Sequence, residues 1–252
     1  MKLGMPVLYE FDSVKENVEL AKKLNLDFIE LNLNFGYCRT FLEKANYDIF
    51  FTNNIEATLH FYDEADFASY SEVVNGYLTL LEKYARLGEG FVKMINIHLN
   101  EGPIVTISGN KNYMYEKEYE DYLARLLKNL SKAREICKKY HIDMVIENVY
   151  IPSFIKRTYY RLFKEGYAFN YDIGHDNYHN NQFQMLLNEL DMQIKEMHIH
   201  DATKQKCHLA LGQGELDIAY YKDIAKEHDS YVVIEVKKAS ELESSIPLFK
   251  SI

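Results

Sequence analysis

The sequence predicts an α/β protein, a single (β/α)8 TIM barrel. Three observations carry this: eight short β-rich apolar runs, helix-period segments between them, and no linker or change of composition along 252 residues. The first run, MPVLYEF at 5–11, leads into a helix opened by Ser13 and Glu16 at capping-box spacing, where hydroxyl and carboxylate each satisfy an orphan N–H. DFIELNL at 27–33 precedes a weak unit, in which FLEKANYDIFF gives only a short helix. IEATLHF at 55–61 is followed by a periodic stretch with Tyr70, Val73, Val74, Tyr77, Leu81 and Tyr84, which Asn75 and Gly76 are expected to interrupt. After VKMINIHL at 92–99 and a long polar loop at 101–118 comes the clearest helix, 119–140, where Tyr122, Leu126, Leu130, Ala133 and Cys137 recur at spacings of three and four. IDMVIENV at 142–149, YAFNYDI at 167–173, QIKEMHI at 193–199 and YVVIEV at 231–236 complete the strands. Asp217 caps the helix before the last run, and Ser240 with Glu243 repeats the capping-box spacing after it. Unbroken alternation favours one closed parallel barrel over residues 1–252; an open doubly wound sheet is the alternative.

Composition narrows the partners. With 38 acidic and 29 basic residues the chain carries a net charge of −9, which repels a phosphate polymer, and no dense Lys/Arg cluster reverses it, so nucleic acid is not an expected partner. Cys38, Cys137 and Cys207 are odd in number and far apart, which encodes neither a disulfide framework nor a zinc ribbon and fits a reducing cytoplasm. The opening MKLGMPVLYEF is too short for a signal sequence and no apolar run reaches membrane-spanning length, so no membrane is expected. Phosphate-loop, dinucleotide, HExxH and GxSxG motifs are absent from the sequence.

Barrel chemistry sits at the C-terminal ends of the strands. Here those ends carry His60, His98, Glu147 with Asn148, Asp172 with His175 just beyond, His198 with His200 and Asp201, and Glu235. Parity places Val145 with Glu147, Glu196 with His198 and His200, and Val233 with Glu235 and Lys237 on common faces, so the polar groups can converge at one mouth. The other histidines, His141, His179 and His228, fall near helix ends or in a loop. Taken singly, His60 or His98 reads more readily as a hydrogen-bonded core residue than as a ligand, and pairing with Lys237 or Lys93 is the lesser alternative for the carboxylates. Together, three inward carboxylates raise one another's pKa unless a cation neutralises them, and the mixed oxygen and nitrogen set suits Mn²⁺, Mg²⁺, Co²⁺ or Zn²⁺.

IENV at 146–149, DIGH at 172–175, HIHDA at 198–202 followed by HLALGQGELD at 208–217, and IEV at 234–236 resemble the xylose-isomerase-like barrel superfamily, which holds sugar isomerases, epimerases, related dehydratases and endonuclease IV. The strings cover strands five to eight in order, with support from IEL at 29–31, His60 and His98. In the epimerase branch the resemblance implies that Glu147, Asp172, His198 and Glu235 hold one divalent metal while His175 binds substrate. In the endonuclease branch it implies a cluster of two or three zinc ions that also draws on His60, His98, His175 and His208. That branch has an aspartate where this chain has Lys206, and an ammonium cannot ligate a cation. Homo-oligomers are common in the superfamily.

The expected activity is a divalent-metal-dependent isomerase or epimerase acting on a sugar, sugar phosphate or related small polyhydroxy substrate through an enediolate, which a metal stabilises. Glu147 and Glu235 would be the catalytic pair, each giving the metal one oxygen and keeping the other for proton transfer. His175, His60, His98, Lys206 and Lys237 would contact substrate, and His208 is a further candidate ligand. Competing readings are a metal-dependent phosphodiesterase or abasic-site endonuclease, and a dehydratase using the same metal. Cys207 lies between Lys206 and His208, where a neighbouring positive charge would lower its pKa. Loops 101–118 and 202–216 are expected to form much of the pocket rim.

Overall fold

The computed structural model describes residues 1–45, 47–149 and 151–252, and its parallel strands close into a barrel. In chain order they are β1 (Lys2–Pro6), β2 (Phe28–Asn32), β3 (Glu56–His60) and β4 (Val92–His98); then, after a separate hairpin of β5 (Ile104–Ile107) and β6 (Asn110–Tyr113), β7 (Asp143–Glu147), β8 (Ala168–Asp172), β9 (Ile194–Ile199) and β10 (Tyr231–Ile234). Around the barrel the order is β1-β10-β9-β8-β7-β4-β3-β2, the ring closing through β1 and β2.

Helices fill the crossovers: α1 (Val14–Lys23), α2 (Gly36–Lys44) with α3 (Asp48–Asn53), α4 (Ser71–Gly88), α5 (Met114–Lys117) with α6 (Tyr119–Lys139), α7 (Ser153–Lys164), α8 (Ile173–Tyr178) with α9 (Gln182–Glu189), α10 (Ile218–Glu227) and α11 (Ala239–Ser251). Their apolar stripes pack on the outer face of the sheet, where Leu81, Ala133, Ile155 and Ala225 are fully buried. Among the described residues no helix is long and apolar enough to cross a membrane.

Several local expectations are corrected. The first strand ends at Pro6, which has no N–H for a ladder, so 7–11 lies beyond it. The second unit carries two helices, separated after Ala45 turns into the left-handed region at φ 49°. Asn75 and Gly76 do not interrupt α4, because Val74, Leu78, Leu81, Tyr84 and Ala85 bury one continuous face. Ser13 accepts the Glu16 N–H at 3.3 Å and Asp217 accepts that of Tyr220 at 3.1 Å, whereas Ser240 caps nothing. Helix α11 begins one residue before Ser240, and Glu10 accepts the Ala239 N–H.

Inside the barrel the period of two sorts side chains into layers. An apolar floor of Met94, Val145 and Ala168 packs with Tyr231, against whose ring Phe28 stands edge-on at 5.0 Å. Gly4 is required here, since any Cβ would meet the Phe28 ring. Two residues higher on the same faces come Glu30, Thr58, Asn96, Asn170 and Glu196, all buried. Above them lie His60, His98, Glu147, Asp172 and His198.

Candidate metal centre

Registration of the strands brings the predicted residues to one place: His98 pairs with Glu147 across β4 and β7, and Asp172 with His198 across β8 and β9. Glu235 follows β10 by one residue and stays aligned because its N–H donates to Ile199 O at 2.9 Å. Glu147, Asp172 and His198 are at most 1% exposed and Glu235 is 9% exposed.

His198 organises the set. Its Nε2–H points at Glu30 Oε1, 3.3 Å away, which leaves Nδ1 as the free lone pair. That Nδ1 lies 3.5 Å from Glu147 Oε2, 3.9 Å from Asp172 Oδ2 and 3.4 Å from Glu235 Oε2. His175 Nδ1 reaches the same group, 3.4 Å from Asp172 Oδ2 and 3.6 Å from Glu147 Oε1. His198 Nδ1, His175 Nδ1 and Glu235 Oε2 are buried without any hydrogen-bond partner. Metal bonds of about 2.1 Å separate neighbouring ligand atoms by roughly 3.0–3.5 Å, so orphaned atoms at these spacings fit a divalent ion.

The carboxylates are secured from behind. Asn170 Nδ2 donates to Glu147 Oε2 at 3.2 Å, and Asn96 Nδ2 donates to the same oxygen. The His208 N–H donates to His200 Nδ1 at 2.9 Å, so His200 turns Nε2–H toward Asp172 Oδ1 at 3.1 Å. Gly174 lies flat against the His200 ring, where a Cβ would collide with it. Asp201 clasps the following loop, accepting the N–H groups of Ala202, Gly212 and Leu216.

Burial alone would raise Glu147, but His198, His98 and His175 hold it well below the usual carboxylate range. Burial likewise opposes ionisation of Glu235, and Lys237, His208 and His198 bring it well below that range. Burial disfavours charge on His60 and His175 too, yet Glu147 with Glu30 pushes the first up to about 10 and Asp172 with Glu147 the second up to about 9. Burial drives His208 the other way, to about 4, so it stays neutral and able to ligate.

The remaining candidates separate. His60 donates Nδ1–H to Phe61 O at 2.8 Å and turns Nε2 to within 3.6 Å of Glu147 Oε2, while His98 Nε2 approaches the same oxygen at 3.3 Å. His208 Nδ1 lies 3.2 Å from Glu235 O, and Lys237 Nζ pairs with Glu235 Oε1 at 2.7 Å. Lys206 does not arrive: it stands exposed on a turn closed between its own backbone and Thr203, outside the cavity. Lys93 is exposed on β4. Cys207 is raised, not lowered, by burial and by Asp172 and Glu235. All three cysteines are free.

A cavity of about 540 Å³ opens over this centre, lined by His60, His98, Glu147, His175, His208, Glu235 and Lys237, with Asn32, Asp63, Glu64, Asn100 and Glu101 on its rim. Of the two expected rim loops, 101–118 contributes through Glu101 and Gly102, and 202–216 only through His208. Sequence reading assigned no role to Glu30, Asn96, Asn170 or Glu196. The available signal was polarity on the inward parity of otherwise apolar strands.

The barrel superposes on a D-tagatose 3-epimerase-like protein with a TM-score of 0.78 at 20% identity, covering 100% of this chain and 96% of that one. It superposes on 3-keto-D-glucoside 4-epimerase from E. coli with a TM-score of 0.78 at 13% identity, covering all of both chains. D-allulose 3-epimerase from Methylomonas sp., solved with D-allulose, gives 0.73 at 14% identity over 100% of this chain and 96% of that one. Comparison with curated protein sequences gives no match. The sequence model of the xylose isomerase-like TIM barrel matches residues 12–252, and the chain belongs to that family.

Proposed function

We propose that this protein is a divalent-metal-dependent isomerase or epimerase of a small, uncharged sugar or related polyhydroxy carbonyl compound, working through an enediolate. The observation that carries the reading is the convergence of His198 Nδ1 with one oxygen each of Glu147, Asp172 and Glu235. The structural neighbours named for D-tagatose, 3-keto-D-glucoside and D-allulose epimerisation support the same substrate class.

A divalent ion of the Mn, Mg, Co or Zn kind, held by Glu147, Asp172, His198 and Glu235, would supply Lewis acidity to a substrate carbonyl and so acidify the adjacent C–H. Glu147 and Glu235 each direct Oε2 toward His198 and keep Oε1 apart. Oε1 of Glu147 faces His175, and Oε1 of Glu235 is held by Lys237. The Oε1 of one carboxylate removes the α-proton; the other carboxyl group, which must first take up a proton from solvent, gives that proton to the enediolate on the opposite face for epimerisation, leaving the two protonation states exchanged until solvent resets them. His175 and His98 orient substrate hydroxyls at the mouth.

Asp63, Glu64 and Glu101 surround the entrance, and Lys237, its one Lys or Arg among the described residues, is already paired. A phosphorylated substrate would therefore meet repulsion. One observation favours a second reading: ligand atoms of His60, His98 and Glu147 lie within 4.8 Å of one another, a grouping suited to another zinc ion and to phosphodiester hydrolysis. The acidic rim, and the lack of an aspartate at the position of Lys206, weigh against it.

The test is deuterium uptake from D₂O into a panel of ketohexoses that includes D-tagatose and D-allulose, with bis(p-nitrophenyl) phosphate cleavage run alongside. Glu147→Gln and Glu235→Gln should each lower exchange by about 10²–10⁴-fold with unchanged circular dichroism. Exchange persisting in both, or phosphodiester cleavage without exchange, contradicts the proposal.

A further inference from the structure

Beneath the metal centre lies a second group of ionisable side chains that the reaction does not use. Glu30 on β2 and Glu196 on β9 face each other across the barrel interior under His198, and ligand atoms of the three lie within 4.8 Å of one another. Glu30 is 2% exposed and Glu196 is fully buried. Neither oxygen of Glu196 has a hydrogen-bond partner. Thr58 joins them from β3, its Cα in register with that of Glu30 and its fully buried hydroxyl turned toward the Glu196 carboxyl group.

The chemistry of this layer is one-sided. Asn170, in register with Glu196, and Asn96 each give one amide N–H to Glu147, and their carbonyl oxygens are buried without partners. His198 turns Nε2 to Glu30 Oε1, 3.3 Å away. Among the described residues the layer thus gathers two carboxyl groups and two amide oxygens around the Thr58 hydroxyl, with acceptors outnumbering donors. The buried apolar cluster of Met94, Val145 and Ala168 packs next to this layer. Unpartnered acceptors are costly to bury, and adjacent carboxylates compound that cost. Burial and the neighbouring Glu30 push Glu196 up to about 8, and an all-oxygen set of two carboxyl groups matches a hard divalent cation, which takes oxygen ligands and displaces that proton.

We propose that Glu30, Glu196 and Thr58 form a second, interior cation site one layer below the metal centre, filled by an oxygen-preferring divalent ion such as Mg²⁺, Ca²⁺ or Mn²⁺. The ion neutralises the paired carboxylates and fixes Glu30, which fixes His198 in the orientation that presents Nδ1 upward. Its role is structural: substrate does not reach it, and it is separate from the grouping of His60, His98 and Glu147 at the mouth.

Anomalous diffraction from crystals of the full chain equilibrated with Mn²⁺ reads the site directly. A peak between the Glu30 and Glu196 carboxylates, distinct from the one beside Glu147, Asp172, His198 and Glu235, is expected. Glu196→Gln should remove that peak and one equivalent of bound Mn²⁺ per chain while the upper peak remains. Thr58→Val, a smaller change in case Glu196→Gln does not fold, should lower the occupancy of the lower peak. Wild-type crystals with only the upper peak filled would overturn the proposal, since the carboxylates then share a proton or a water. An unchanged lower peak in Glu196→Gln would overturn it as well.

Discussion

Gly174 shows how one residue without a side chain governs the metal centre. It follows Asp172 by two positions and lies against the His200 ring, and His200 in turn aims Asp172 by donating to Oδ1. Gly174→Ala would push the ring away and free the carboxylate to rotate. We expect a roughly 10–100-fold loss of Mn²⁺ affinity, as for other partners that orient metal ligands, with about 1–3 kcal/mol of destabilisation from overpacking. Isothermal titration of both proteins checks this, and wild-type affinity in the variant would show that His200 does not orient Asp172. At this scale the ligand candidates were legible, because Glu147, Asp172, His198 and Glu235 end consecutive barrel strands in sequence. Their supports were not: that His200 faces Asp172, or that Asn96 and Asn170 converge on Glu147, depends on the stagger between strands. Lys206 misled for a related reason, since adjacency to His208 in sequence says nothing about a turn that directs its side chain to solvent.

Among elements, α4 departs most instructively from expectation. Gly76 lies mid-helix with open space where a Cβ would stand, and the helix persists across it because its buried face outweighs the local propensity. Gly76→Ala should therefore stabilise the protein by about 0.5–1 kcal/mol, by restricting the unfolded chain and improving helix propensity. Urea denaturation measures it, and a loss of stability would mean that the position is strained or contacted. The hairpin of β5 and β6 passed as featureless loop because its residues are mostly polar and exposed. Its signal was Ser108-Gly109, whose positive φ values of 50° and 82° make the two-residue turn that joins twisted strands. Barrel strands were easier to read, because each is buried on both faces and so is apolar along its length except where an inward polar residue stands.

For the whole molecule, the charge arrangement couples metal loading to pH. In the metal-free protein His60, pushed up to about 10, adds stability that is complete below its ordinary value of 6.5 and is lost as pH rises through 10. Glu147 and Glu235, held low, add stability present above their ordinary 4.5 and lost as pH falls. The Tm of chelated protein should therefore form a plateau between about pH 5 and 6.5 and fall on both sides. With Mn²⁺ bound the alkaline fall should shrink, because the ion replaces those protons as the countercharge. Calorimetry across pH with chelator and with Mn²⁺ tests this, and superimposable profiles would contradict it. The family reading was accessible before any coordinates because its motifs lie in order on the last four barrel strands. The interior polar layer was legible only in part: parity put Glu196 on the face of His198, but that Glu30 and Thr58 meet it inside the barrel depends on the register and stagger of strands distant in sequence.

The central claim is that Glu147, Asp172, His198 and Glu235 together hold a divalent ion. Elemental analysis of protein purified without added metal or chelator, and again after reconstitution, tests it most directly when set beside Glu235→Gln and Asp172→Asn. The account predicts bound divalent metal in the wild-type chain and one equivalent fewer in each variant. A wild-type chain that remains metal-free after reconstitution, or variants that retain the full complement, would contradict it.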